Sequence, residues 1–249
     1  MVFPEESATL DRGQFLRLLA SKSIFLEIGV FDNPSIEFLR ESETLVHYAD
    51  WLSKDELIQR AKCIEGRNHS QVPDIKWVLS DGYNNIDIKY DAVISHHCVE
   101  HQPDLVRHFI DIKSITKTDG WYLFSLPDKR YCFDHYLPES NILDVLEAFL
   151  LERKSPSFKS VLEHRCFTSH TFQTGINPFM CSDPAMVDRF NSALEEYKAS
   201  NYVDVHCWAF TPDSFRTLFN QIIDLKLLPG YQDFKVYPGI GEFYVALAF

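Results

Sequence analysis

Five short apolar segments with the length of buried strands alternate with helical segments in the first half of this 249-residue chain. The helices are indicated by amphipathic spacing or by an N-cap, such as Ser53 followed by Glu56 in capping-box spacing. This alternation predicts a parallel sheet with helices on both faces. The predicted strands are 24–29, 45–48, 77–79, 90–95 and 121–126, and the predicted helices are 7–19, 53–63 and 105–115.

The alternation stops at Pro127. Further on, Thr211 and Pro212 are residue types preferred at the N-cap and the first position of a helix. The last two apolar segments flank a Pro-Gly-Ile-Gly turn and predict a β-hairpin. The remaining predicted elements are helices at 142–153, 184–199 and 211–225 and strands at 234–237 and 242–249.

Together these elements predict an α/β fold. We expect a Rossmann-like, doubly wound, mostly parallel seven-stranded sheet that ends in an antiparallel hairpin. Residues 1–249 are long enough for one domain of this type and are predicted to form a single domain. Residues 128–205 are predicted to be a helical insertion after the fifth strand that supplies a substrate or lid region.

Composition restricts the partners of the chain. Lys and Arg number 24 and Asp and Glu 36, for a formal charge of −12. This charge disfavours nucleic acids and anionic membranes as partners. No apolar run is long enough for a transmembrane helix, and the first residues lack the apolar core of a signal peptide. Six scattered cysteines without a CxxC pair predict reduced thiols in a cytoplasmic protein.

Polar residues and glycines follow the predicted strands where each strand ends. In an open parallel sheet, ligands lie across the carboxyl ends of the strands. The first strand ends in LEIG, with Pro34 following, and the second runs into YADWLSKDEL at 48–57. The third leads to Asp81-Gly82, the fourth into SHHCVEH at 95–101 and the fifth into PDKRYCFD at 127–134. A later segment, 204–215, reads DVHCWAFTPDSF.

In order and spacing, these motifs resemble the class I S-adenosylmethionine-dependent methyltransferases over residues 20–127 and 205–249. Within that class they are similar to a bacterial group associated with surface-polysaccharide or other small-molecule modification, through EIG…P, SHxxEH and PDKRYxFD. The resemblance implies S-adenosylmethionine (SAM) as cofactor, S-adenosylhomocysteine (SAH) as product and a small anionic or sugar-like acceptor, methylated on oxygen. The implied cofactor-binding residues are Glu27, Gly29, Asp50, Trp51, Asp81, Gly82, His96 and His97.

The first loop departs from the usual GxG pattern, because Phe31 stands where the second glycine is expected. A Phe does not take the left-handed conformation cheaply. We therefore expect the loop to run differently, with its turn at Asp32-Asn33. The missing glycine disfavours a pyrophosphate cofactor such as NAD(P) more than SAM, which has no phosphate.

The acceptor side is expected in the segments after the fifth strand. Lys129 and Arg130 form either an anion clamp or an ordinary surface ion pair. His206 is either a general base oriented by Asp204 or a structural histidine. The predicted catalytic residues are His206 and Asp128, and the predicted substrate-binding residues are Lys129, Arg130, Tyr131 and His164.

Other functions remain open. HCVEH at 97–101 matches an inverted zinc-protease motif, but it directly follows a strand and Pro103 comes soon after, so no metal is predicted. Cys98 and Cys132 beside histidines are either nucleophiles or inert core thiols. The alternatives to a methyltransferase are a non-catalytic nucleotide- or metabolite-binding module and an NAD(P) oxidoreductase. The aromatic-rich insertion leaves a homodimer open.

Overall fold

A seven-stranded sheet organises the chain in the computed structural model, which describes residues 4–37, 43–168, 176–228 and 230–249. The strand order is β3-β2-β1-β4-β5-β7-β6. The strands are β1 Ile24–Ile28, β2 Leu45–Asp50, β3 Ile75–Val78, β4 Tyr90–His96, β5 Thr116–Pro127, β6 Asp233–Pro238 and β7 Glu242–Ala248. The helices are α1 Arg12–Leu16, α2 Lys54–Lys62, α3 Leu105–Ile115, α4 Ile142–Leu150, α5 Phe158–Cys166, α6 Met186–Ala199 and α7 Pro212–Asp224.

Strand pairing confirms the predicted fold class. β1 lies between β2 and β4, and these pairs, like β2–β3 and β4–β5, are parallel. β7 pairs antiparallel with both β5 and β6. The sheet is thus mostly parallel and ends in the predicted antiparallel hairpin.

The two faces of the sheet bury separate hydrophobic clusters, because side chains of a strand alternate between faces. Tyr122 and Phe124 of β5 pack with Phe109 of α3 and Phe219 of α7 on one face. Leu123 faces the other side and packs with residues of the N-terminal helix, including Phe15. Packing of helices on both faces therefore fixes the position of the strands, and with it the edge of the sheet where they end.

The predicted helix at 7–19 is wrong at its start. Asp11 is the N-cap of α1, and Gln14 completes a capping box with it. The helix therefore begins at Arg12, and a 3-10 turn, Arg17–Leu19, continues it. The capping box at Ser53 and Glu56 is confirmed as the start of α2.

The predicted loop between α3 and the fifth strand is also wrong. β5 begins at Thr116, directly after α3, and its first residues carry the Thr-Asp-Gly signal that suggested a turn. Asp119 takes a φ of 63° there, and its N–H donates to the carbonyl of Phe249 at 2.9 Å. This contact across to the end of β7 holds an irregular residue inside the strand.

Between β5 and α7, the described residues form three helices where two were predicted. The additional helix is α5, which is capped by Ser157 and packs on α6 through Val161, Cys166 and Ala193. Its sequence, FKSVLEHRC, shows little amphipathic periodicity, so the pattern that revealed α4 and α6 is weak here. Among the described helices, none has the length and apolar character needed to cross a membrane.

Candidate functional site

The carboxyl ends of the parallel strands meet at one edge of the sheet. Backbone hydrogen bonds hold the loops there: Gly29 N–H donates to Ala49 O at 2.9 Å, and His97 N–H donates to Ser125 O at 3.1 Å. Gly29 has a φ of 73°, a conformation that suits glycine. The edge therefore places the residues after β1, β2 and β4 side by side.

The loop after β1 does not avoid the left-handed conformation at Phe31, so the prediction for this residue is wrong. Phe31 has a φ of 48°. Its ring lies beneath the guanidinium of Arg67, 4.7 Å from the ring centroid, and Arg67 also pairs with Asp32 at 2.9 Å. Such a conformation costs a non-glycine residue about 1–2 kcal/mol. The cation–π contact and the hydrogen bonds of this loop offset that cost.

Asp50 ends β2 next to this loop. One carboxylate oxygen accepts from Phe31 N–H at 3.4 Å and the other from Leu52 N–H at 3.3 Å. Burial raises the pKa of Asp50, against the lowering effect of these bonds. Trp51 is half exposed and stacks on Tyr202, with ring centroids 6.0 Å apart. A hydrogen-bond acceptor, Asp50, and a flat apolar ring, Trp51, are thus neighbours at the end of β2.

Glu27 is almost fully buried at the end of β1. Its carboxylate accepts from the backbone N–H of Ser35 at 2.9 Å and from the Ser35 hydroxyl at 2.5 Å. Burial raises the pKa of Glu27 to about 7, although the bonds from Ser35 and the charge of Arg12 lower it. This carboxyl therefore changes charge near neutral pH.

The titration of Glu27 predicts a pH-dependent stability. An acid whose pKa rises on folding binds more protons in the folded state, so its contribution to the free energy of unfolding falls as pH rises from about 4.5 to about 7. Glu27→Gln is expected to match wild type near pH 4 and to exceed it by about 3 kcal/mol near pH 8. Urea unfolding at both pH values measures this. Equal differences at both pH values would contradict it.

The end of β3 is open. Gly82 has a φ of 83°, and among the described residues no atom beyond its chain neighbours lies within 4 Å of where a Cβ would stand. The side chain of Asp81 lies outside the described part of the structure. Among the described side chains beyond its chain neighbours, none crowds Gly82 at this point of the edge.

The two histidines after β4 differ in charge. His96 Nδ1 bonds the Ser125 hydroxyl at 2.9 Å, and burial lowers its pKa to about 3. His97 Nε2 lies 2.9 Å from Glu242. Burial lowers the pKa of His97, but hydrogen bonds and charge from Glu100 and Glu242 outweigh it and raise the pKa to about 9. His97 is therefore a cation at neutral pH.

The residues after β5 have partners within the chain. Asp128 caps the 3-10 turn Lys129–Tyr131 and accepts from Arg130 in a two-pronged ion pair whose shortest distance is 2.6 Å. Lys129 is buried, and its ammonium donates to His135 O at 3.0 Å. Tyr131 is exposed. Arg130 therefore pairs with an acidic residue of its own segment, which is the contact that the ion-pair alternative describes.

The carboxylate facing His206 is Asp134, so the expectation that Asp204 orients His206 is wrong. His206 Nδ1 lies 2.5 Å from Asp134 Oδ2, and both side chains are buried. Asp204 lies instead beside His101 Nδ1 at 2.9 Å and Arg60 at 2.8 Å. The two carboxylates therefore serve two different histidines. His164 of α5 lies near, its ring centroid 6.0 Å from that of His206.

Glu100 and His101 join this group, although neither was predicted as a site residue. They lie in a 3-10 turn, Val99–His101, and Glu100 O accepts from Cys207 N–H at 2.7 Å. That bond brings the segment around His206 onto the end of β4. The HxxEH spacing signalled these residues, but His97 lies between Glu100 and Glu242, and His206 comes from a distant part of the chain.

A small cavity opens beside His206. It measures about 150 Å³ and lies between α4, α5 and the segment 206–209. Its wall includes Arg153 and Lys159, which pair with Glu147 and Asp144 at 2.8 and 3.1 Å. The cavity thus offers both hydrogen-bond donors and acceptors.

No protein-family model and no curated protein sequence matches this chain. Solved structures with a similar arrangement include a DhpI–SAH complex (14% identical, covering 93% of this chain and 79% of that chain, TM-score 0.44). Another is the plantazolicin methyltransferase BpumL with SAH and a triazolic desmethylPZN analog (9%, 94% and 80%, 0.46). A third is the O-methyltransferase from Bacillus cereus with SAH (12%, 99% and 84%, 0.39). Scores this low leave the function to be inferred from the residues of this chain.

Proposed function

We propose that this chain is a SAM-dependent methyltransferase with a small, sugar-like or anionic acceptor. The observation that carries the proposal is the pair of buried carboxylates, Glu27 and Asp50, on either side of the positive-φ loop at Gly29. A carboxylate at each of these strand ends suits an ammonium and a ribose, and the loop has no second glycine for a pyrophosphate. Trp51 and the open space at Gly82 suit an adenine ring.

In this proposal, His96 and His97 lie beside the reacting centre. When bound, SAM supplies a sulfonium methyl group: the acceptor oxygen bonds to the methyl carbon while the carbon–sulfur electron pair stays on sulfur, giving SAH. His206 is the proposed base that takes the hydroxyl proton on Nε2, because Asp134 occupies its Nδ1. Asp128 stays in the proposed catalytic set, where it positions the turn after β5.

The insertion, residues 128–205, is the proposed acceptor region. The cavity beside His206 is smaller than the roughly 300–1,000 Å³ typical of drug-sized ligand sites, so it suits a small molecule. Its mixed donors and acceptors suit a hydroxyl-rich acceptor. Lys129, Arg130, Tyr131 and His164 stay proposed substrate-binding residues.

Thermal unfolding tests the cofactor. SAM and SAH are each expected to raise the melting temperature of the full chain, because a ligand that binds the folded state stabilises it by about 2.7 kcal/mol at 100 times its Kd. NAD is expected to have no effect. Stabilisation by NAD alone, or by none of the three, would contradict the proposal.

An assay of methyl transfer distinguishes a methyltransferase from a non-catalytic binding module. A methyltransferase incubated with SAM and a panel of sugars, sugar acids and phosphorylated sugars is expected to form SAH together with a methylated acceptor. A protein that binds SAM but methylates no acceptor of the panel would favour the binding module. Phe31 leaves that alternative open, since it changes the loop nearest the cofactor.

A further inference from the structure

One carboxylate and two imidazole side chains come together near the cavity beside His206. One potential ligand atom from each of Glu100, His101 and His206 lies within 4.8 Å of the others. Glu100 is 1% exposed, and among the described residues neither of its carboxylate oxygens has a hydrogen-bond partner. The nearest basic atoms are His97 Nδ1 at 3.6 Å and His206 Nε2 at 4.0 Å. The His97 cation balances the charge of Glu100 without forming a hydrogen bond, so both oxygens of this buried carboxylate are placed to bind a further cation.

Both histidines are held by a carboxylate on the same ring nitrogen. Asp134 lies 2.5 Å from Nδ1 of His206, and Asp204 lies 2.9 Å from Nδ1 of His101. For His206 this leaves Nε2, which lies 4.0 Å from Glu100, as the nitrogen available for another ligand. Metal-bound histidines are oriented in this way, with the far nitrogen donating to a carboxylate. Asp204 is also paired with Arg60, so the negative charge that a divalent ion balances comes mainly from Glu100 and Asp134.

We propose that Glu100, His101 and His206 bind one Zn²⁺-type divalent ion. Two histidines and one glutamate are a ligand set that zinc accepts, with the fourth position open to water or substrate. Bonds of about 2.0–2.1 Å in a tetrahedron place ligand atoms about 3.3 Å apart. The three side chains therefore close by roughly 1–1.5 Å around the ion.

The open fourth position would let the ion bind the methyl acceptor. This role of the ion rests on the proposed methyltransferase function. An acceptor hydroxyl bound to the ion loses its proton to water more readily, since a divalent ion lowers the pKa of a bound oxygen. With the ion bound, His206 is a ligand and no longer the proton acceptor proposed for the metal-free protein, because Nε2 holds either a proton or the ion. Metal binding itself does not depend on SAM.

Cobalt titration tests the site. Full-length protein freed of metal with a chelator is titrated with Co²⁺ and followed by visible absorption, which reports a four-coordinate nitrogen–oxygen site, and then with competing Zn²⁺. Wild type is expected to bind one Co²⁺ per chain and to release it to Zn²⁺. Asp134→Asn, which alters only the carboxylate behind His206, is expected to weaken binding about 10–100-fold. His101→Gln and Glu100→Gln are expected to weaken it further.

His69→Gln is the matched control, because His69 is exposed and lies in a separate 3-10 turn. It is expected to bind Co²⁺ as wild type does. The proposal is overturned if wild type shows no visible band, or if His101→Gln and His69→Gln bind equally. Circular dichroism confirms that each variant is folded. A protein stabilised by SAM that binds no Co²⁺ refutes the metal site alone, and the converse result refutes the cofactor alone.

Discussion

Asp50→Ala is expected to weaken SAM binding about 10–100-fold, because hydrogen bonds to a charged group contribute about 1.5–3 kcal/mol. The carboxylate is buried at the end of β2 and is held in place by Phe31 N–H and Leu52 N–H. In the proposed site it accepts from the ribose hydroxyls. Isothermal titration calorimetry of SAM and SAH measures the loss for both ligands.

Asp55→Ala is the control for this experiment, since Asp55 is exposed in the first turn of α2, a few residues away. It is expected to leave the affinity for SAM unchanged. If Asp50→Ala binds SAM as tightly as Asp55→Ala does, the assignment of Asp50 to the ribose is wrong. Such a result would not contradict SAM binding elsewhere on this edge of the sheet.

Phe124→Ala is expected to lower the free energy of unfolding by about 3–5 kcal/mol. Phe124 is fully buried in the middle of β5 and packs against Tyr122, Phe109 and Phe215, with ring centroids 4.6, 5.8 and 5.9 Å away. Removing the ring leaves a cavity between the sheet and two helices, α3 and α7. Urea unfolding followed by circular dichroism measures the change.

Two variants bracket this result. Phe124→Leu keeps most of the buried volume and is expected to cost clearly less than Phe124→Ala. Ile240→Ala removes a similar apolar side chain that is 93% exposed, and is expected to stay within about 0.5 kcal/mol of wild type. If Phe124→Ala lowers the free energy of unfolding no more than Ile240→Ala does, the ring of Phe124 does not contribute to the core as described.

Strands and long helices were predictable because their signals are local. Apolar runs and capping residues such as Ser53 and Thr211 depend only on near neighbours, and both caps are confirmed. The errors arise where distant contacts override a local preference. Asp119-Gly120 has the composition of a turn, yet pairing with β7 draws it into a strand. Phe31 adopts a conformation that a lone Phe disfavours, because Arg67 covers its ring.

The candidate site was predictable in part for the same reason. Glu27 and Asp50 follow strands, and strand ends can be located from the sequence. Which carboxylate faces which histidine depends on how the segment 204–208 lies on the turn after β4. Nothing in the spacing of Asp134 and His206 along the chain indicates their contact, whereas Asp204 and His206 are close in sequence but serve separate partners.

The place of β7 determines the order in which the sheet can assemble. β7 lies between β5 and β6, although it follows both along the chain. β7 pairs with β6 through the short connection of the hairpin, but with β5 across more than a hundred residues of the chain. Pairing between such distant segments is slow compared with local pairing. Until it occurs, β5 presents an unpaired, apolar edge, so the folding chain is most prone to self-association just before its last strand is inserted.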